Sequence, residues 1–158
     1  SGRLAARLGH RVPIEGERGY HVTIANPGVS LSVPVFTSDY MVIATPMDVG
    51  IRIAGTAEYG GLAAEPNPSR WQVLARHAKR MLPAIDTSTV SEWSNLRPTL
   101  PDSLPVIGRA PNFSNVIFAF GHQHVGLTAG PKTGEIVANL VAGRAPNIDL
   151  RPFRVDRF

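Results

Sequence analysis

Apolar side chains recur two apart in three short stretches of this chain and three to four apart in two longer ones, and the two periods separate expected strands from expected helices. Gly19-Tyr20-His21-Val22-Thr23-Ile24 alternates as a strand, and Asn26-Pro27-Gly28 closes it as a turn. Tyr40 to Thr45 and Ile51 to Thr56 flank Pro46-Met47-Asp48-Val49-Gly50, the pattern of an antiparallel hairpin. Trp71, Val73, Leu74, Ala78, Met81 and Leu82 fall at helical spacing between Ser69, a suitable N-cap, and Pro83, which stops the pattern. That spacing predicts one amphipathic helix over one face of the sheet.

The ends of the chain carry less regular signals. Leu4 to Leu8 reads as the end of a helix or a turn, with Gly9 as its C-cap. Val90 to Trp93 reads as a strand leading into Arg97-Pro98, and Asn115-Val116-Ile117-Phe118-Ala119-Phe120 as a short, fully buried strand. A last helix is expected from Leu127 to Ala142, ended by Gly143 and Pro146. Gly126, Gly130, Gly134, Ala138 and Ala142 are four apart and share one face of it. Such a face admits close helix-on-sheet packing or the approach of a flat ligand. Fifteen glycines and fourteen prolines favour turns and short strands over a helical bundle, so the fold class expected is α+β with a mostly antiparallel sheet covered by helices.

Composition narrows the chemistry. The chain has no cysteine, which excludes disulfides, thiol catalysis, cysteine-zinc sites and a cysteinyl flavin within it. The net charge is +4, and arginines thicken toward the end at Arg144, Arg151, Arg154 and Arg157. This charge is dispersed and follows no nucleic-acid-binding motif, so a solvated basic surface or an interface tail is the expectation, without a nucleic-acid partner. No apolar run reaches the ~20 residues of a membrane span, and Ser1-Gly2-Arg3-Leu4 is no secretory signal. A soluble or membrane-peripheral protein of the cytoplasm, at most peripheral to the inner membrane, fits these features.

The chemistry-bearing segments lie in the last third. Leu96-Arg97-Pro98-Thr99-Leu100-Pro101-Asp102 is followed by Pro105-Val106-Ile107-Gly108 and then by Gly121-His122-Gln123-His124-Val125-Gly126-Leu127-Thr128. Pro98 biases Arg97 to an extended conformation, from which a guanidinium can grip a carboxylate through two parallel bonds. Pairing of Arg97 with Asp102 or Glu92 is the alternative use of that charge. Gly121 and Gly126 permit tight turns at a strand-loop-helix joint, where helix N-terminal amides favour negative charge. His122 and His124 are two apart, but no third ligand completes a metal site. His10, His21 and His77 read as structural or surface residues.

This ordered series resembles the C-terminal signature of FAD-dependent D-amino-acid dehydrogenases, D-amino-acid oxidase and glycine oxidase. Those families begin with a Gly-x-Gly-x-x-Gly turn that holds the FAD pyrophosphate, and none occurs here. The resemblance therefore implies the C-terminal part of a longer flavoenzyme: residues 1–95 as a substrate-binding antiparallel portion, and residues 96–158 as the segment, with its last strand and helix, completing a Rossmann-like FAD-binding domain. The reaction implied is hydride transfer from the α-carbon of a D-amino acid to flavin N5, giving an imino acid that hydrolyses to a keto acid and ammonia.

Several site roles follow from the resemblance. Arg97 would bind the substrate α-carboxylate, with the His124 carbonyl toward the amine and the Tyr40 hydroxyl near the carboxylate, although core packing accounts for Tyr40 better. Gly121, His122, His124, Val125, Gly126, Leu127 and Thr128 would contact a non-covalent FAD, chiefly through backbone groups, with the cofactor not retained by this chain alone. No catalytic acid or base and no metal are implied. Gly55-Thr56-Ala57-Glu58 also resembles the dehydrogenase subgroup, without an assigned role. The partners implied are a D-amino acid or related small amine, the nucleotide-binding portion, and an electron acceptor that can be membrane-peripheral. A glycine-, sarcosine- or hydroxyproline-type enzyme is the alternative within the family, and a catalytically silent fragment or assembly module the alternative outside it.

Overall fold

Alternation along β1 (Glu15–Ile24) puts Tyr20, Val22 and Ile24 on one side, and all three are almost completely buried. The computed structural model describes residues 1–158. Its chain divides into two units, Arg18–Leu96 and a second formed by Ser1–Glu17 with Arg97–Phe158. Residues 1–17 thus cluster with the C-terminal segment.

In the first unit, β2 (Val35–Thr37), β3 (Val42–Met47) and β4 (Gly50–Tyr59) form an antiparallel meander. With β1 and β5 (Ser91–Thr99) they make a five-stranded antiparallel sheet in the order β2-β3-β4-β1-β5. The expected hairpin turns through Asp48 and Val49, with Met47 paired to Gly50. Gly50 has φ +121°, and a Cβ there would fall 2.0 Å from the Ile24 carbonyl oxygen, so only glycine fits this crossing. One face of the sheet is covered by α2 (Pro68–Met81), whose Leu74 and Ala78 pack with Tyr20, Val22, Ile24, Val42, Ala44, Ile51 and Ile53.

Three local expectations need correction. The N-cap of α2 is Asn67 rather than Ser69: the Asn67 side chain accepts the Ser69 N–H at 3.0 Å. Pro68 decides this, since its fixed φ and missing N–H suit the first helical position. Tyr40 lies in the turn before β3 rather than in a strand, because Met41 takes a left-handed φ of +52° and breaks the extended run. The strand expected over Val90 to Trp93 continues through Arg97 and Pro98 to Thr99. β5 is an edge strand, where a residue without an N–H is tolerated.

In the second unit, α1 (Gly2–Arg7) ends beside Gly9, whose φ of +86° is the expected left-handed stop. β6 (Val106–Ala110) pairs antiparallel with β7 (Phe113–Phe120), and α3 (Gly126–Val141) packs on both. Their shared core includes Ala5, Leu100, Val106, Ala110, Phe118 and Val155. β7 is not fully buried as expected: of its residues only Phe118 is, since a two-stranded sheet leaves much of each strand uncovered. Close packing through the small-residue face of α3 is also absent within the chain. A Cβ at Gly130 or Gly134 would meet nothing within 4 Å, while Ile136 on another face is buried.

The arginine-rich tail is held by two of its own acids and by Asp102. Arg151 pairs with Asp149, Arg154 with Asp156, and Arg157 with Asp102. No helix is long and apolar enough to cross a membrane.

Candidate functional site

Arg97 stands at the C-terminal part of β5, where the strand enters the second unit. Its partner is neither Asp102 nor Glu92 but Glu17 of β1, with Nη1 donating to Oε1 at 3.1 Å. The other carboxylate oxygen of Glu17 accepts from the Thr99 hydroxyl at 3.0 Å. Glu17 is buried, whereas 36% of the Arg97 side chain remains accessible. One nitrogen of the guanidinium is therefore anchored while its remaining donors are open to an incoming acceptor. Glu17 gave no signal in the sequence, because the pair spans eighty positions and belongs to no motif.

Beyond Thr99 the chain turns at Leu100, which is buried and meets the glycine loop. A Cβ on Gly121 would come within 2.6 Å of Leu100 Cδ1, and Gly121 has φ +83°. Gln123, itself left-handed at φ +50°, donates from Nε2 to the Leu100 carbonyl at 3.3 Å. The Arg97 segment and the Gly121–Thr128 loop, far apart in sequence, are thus brought together in one unit. Asp102 fixes the far side of this turn. Arg157 Nε donates to its carboxylate at 2.6 Å, and this bond holds the Asp102 carboxyl below the usual carboxylate range.

His122 and His124 part company at the start of α3. The His122 ring reaches Thr133 Oγ1 at 2.9 Å, and that hydroxyl donates to the Ala129 carbonyl at 2.9 Å. Having given up its only proton, the hydroxyl must accept, so His122 carries its proton on Nε2. Burial lowers its pKa, which favours this neutral form. His124 is exposed in the adjoining turn, and no group of three or more acidic, histidine or cysteine residues could hold a metal. No side chain caps α3; Val125 N–H bonds back to the His122 carbonyl, and that of Ala129 is bonded to the Val125 carbonyl. The amides of Gly126, Leu127 and Thr128 make up the open first turn. Leu127 is 94% exposed, and Gly126 would meet only His122 Cβ, at 3.4 Å.

Tyr40 belongs to the other unit. Its ring stacks on His77 at 4.5 Å with Arg80 over it at 5.4 Å. In the same unit Glu58 accepts from the buried Tyr20 hydroxyl, to which the Asn67 N–H also donates at 2.9 Å. Burial first, and then the bond to Glu58, raises the Tyr20 pKa. The Gly55-Thr56-Ala57-Glu58 segment therefore ties β4 to β1 and to the start of α2. His21 stacks on Trp93 at 4.7 Å, and burial lowers its pKa.

Over residues 1–140 the sequence matches the family of FAD dependent oxidoreductases, DAO. The chain belongs to that family. The D-amino-acid oxidase of Bradyrhizobium diazoefficiens is 41% identical, over all of this chain and 38% of its own length. A D-amino acid dehydrogenase of Paramagnetospirillum magneticum is 35% identical over 98% of the chain and 37% of its own length. Among solved structures, glycine oxidase from Geobacillus kaustophilus superposes with a TM-score of 0.84 at 25% identity, covering 99% of this chain and 43% of that one. The chain thus spans less than two-fifths of the length of these two curated relatives. Within the DAO family, its α+β fold with one five-stranded antiparallel sheet corresponds to part of the flavoenzyme structure.

Proposed function

We propose that this chain contributes the substrate-carboxylate anchor and one wall of the flavin site to an FAD-dependent enzyme that oxidatively deaminates D-amino acids. The observation that carries this reading is the guanidinium of Arg97, half-anchored by Glu17 and otherwise open, in the same unit as the uncapped start of α3. Arg97 grips the α-carboxylate, and the exposed loop presents the His124 carbonyl to the amine. Orientation, rather than acid-base chemistry, is the work of these residues.

The residues fit FAD by their donors and their shape. First-turn amides of α3 favour the negative charge that a reduced isoalloxazine ring accumulates. The open face at Gly130 and Gly134 leaves room for a flat ring or a close backbone. FAD, when bound, supplies the two-electron acceptor for the hydride leaving the substrate α-carbon. Backbone groups of Val125, Gly126, Leu127 and Thr128 are the contacts assigned to it, together with Gly121, His122 and His124.

The substrate class is supported by a D-amino-acid oxidase and a D-amino acid dehydrogenase that are 41% and 35% identical to the chain. The test is to incubate the FAD-loaded enzyme with a panel of D- and L-amino acids, glycine and sarcosine in the presence of an artificial electron acceptor. Equal yields of ammonia and keto acid from D-amino acids support the reading. Turnover confined to glycine or sarcosine would transfer it to the amine-oxidase branch.

A further inference from the structure

We infer that Glu17 is a positioning residue for Arg97, holding its guanidinium in the orientation that receives the substrate carboxylate. The inference rests on the carboxylate-anchor reading of Arg97 and extends it to a residue outside every motif of the chain. Glu17 accepts from two groups on β5. Oε1 accepts from Arg97 Nη1 at 3.1 Å, and Oε2 accepts from the Thr99 hydroxyl at 3.0 Å. Arg97 and Thr99 are two apart on β5 and point to one side, so a single carboxylate on the neighbouring strand spans both. The acid is buried and its partner is 36% accessible, an unequal pair in which the fixed member steers the mobile one.

An unheld arginine has many rotamers, and ordering it on binding costs free energy. Glu17 removes that cost beforehand by securing one nitrogen and leaving the rest of the fork to the ligand. Its negative charge acts in the other direction, because it lies near the place of a second carboxylate. Orientation and charge are therefore opposed and can be measured apart. Glu17→Gln keeps an acceptor oxygen for Arg97 and removes the charge. Glu17→Ala removes both.

The probe is propionate, the deaminated counterpart of D-alanine, titrated by calorimetry into the complete, FAD-loaded enzyme, with ethylamine as the control lacking a carboxylate. Glu17→Ala should weaken propionate binding roughly tenfold, about 1.4 kcal/mol, and raise KM for a D-amino acid more than it lowers kcat. Glu17→Gln should bind propionate at least as tightly as the parent enzyme. Thr99→Val, which removes the second anchor of Glu17 with little change in shape, should weaken binding about threefold and decides the matter if Glu17→Ala does not fold. A lower melting temperature with unaltered propionate affinity in Glu17→Ala and Thr99→Val would reduce Glu17 to a structural ion pair. Tighter binding in both Glu17→Ala and Glu17→Gln would leave it only a charge to be overcome. Arg97→Ala separates the two levels of the argument: unaltered propionate binding there overturns the anchor itself.

Discussion

At the scale of single residues, Arg97 combines an anchor with open donors, and its substitution by lysine tests the geometry of the fork. An ammonium keeps the charge but cannot offer two parallel bonds. Arg97→Lys should cost roughly 1.5 to 3 kcal/mol, which is about one to two powers of ten in kcat/KM on a D-amino acid. Unchanged kinetics would assign Arg97 to structure alone. Asp102 makes a separate prediction. Its folded pKa is depressed, first by the hydrogen bond from Arg157, so it stabilises the fold above its unfolded value and ceases to do so as pH falls through the folded one. The contribution is intact at neutral pH and declines progressively as pH falls below ~4. Asp102→Asn should lower the melting temperature at pH 7 and flatten its fall on the acid side. Identical acid slopes for variant and parent would move the effect to Asp149 or Asp156, which are depressed by neighbouring arginines too. Arg97 was legible because Pro98 marks it, whereas Glu17 was not, since a strand pairing brings it there.

Among the elements, the helices show most clearly what local pattern decides. The apolar spacing from Trp71 to Leu82 located α2, and only its cap was displaced, to Asn67, by the proline that follows. For α3 the extent was legible, but the purpose of its small-residue face was not. Gly126 has ordinary helical φ, and a Cβ there would meet only the His122 Cβ, at 3.4 Å. In the complete enzyme, Gly126→Val should therefore reduce flavin content per folded protein while the melting temperature changes little. Gly130→Ala, with nothing of this chain in its way, should by helix propensity alone stabilise the chain by about 1 kcal/mol. Full flavin occupancy in Gly126→Val, with a large drop in its melting temperature, would show that this glycine serves packing instead.

For the whole molecule, the absence of a Gly-x-Gly-x-x-Gly turn predicts weak cofactor retention, since that turn is where a pyrophosphate is held. The 158-residue chain purified by itself should carry much less than one FAD per chain; mass spectrometry of the denatured supernatant measures it, and stoichiometric FAD would contradict the prediction. Sequence alone determined the α+β class, the β3-β4 hairpin, both long helices and the motif series Arg97-Pro98 to Thr128, because each rests on local periodicity, turn chemistry or fixed spacing. Tertiary structure decided the rest. It continued β5 through Pro98 by placing it at a sheet edge, joined Gly121 and Gln123 to Leu100, paired Arg97 with Glu17 across eighty positions, and gave the tail arginines to nearby acids and to Asp102. Most of these contacts join residues distant along the chain, and no local pattern encodes which distant partner will be brought within bonding distance.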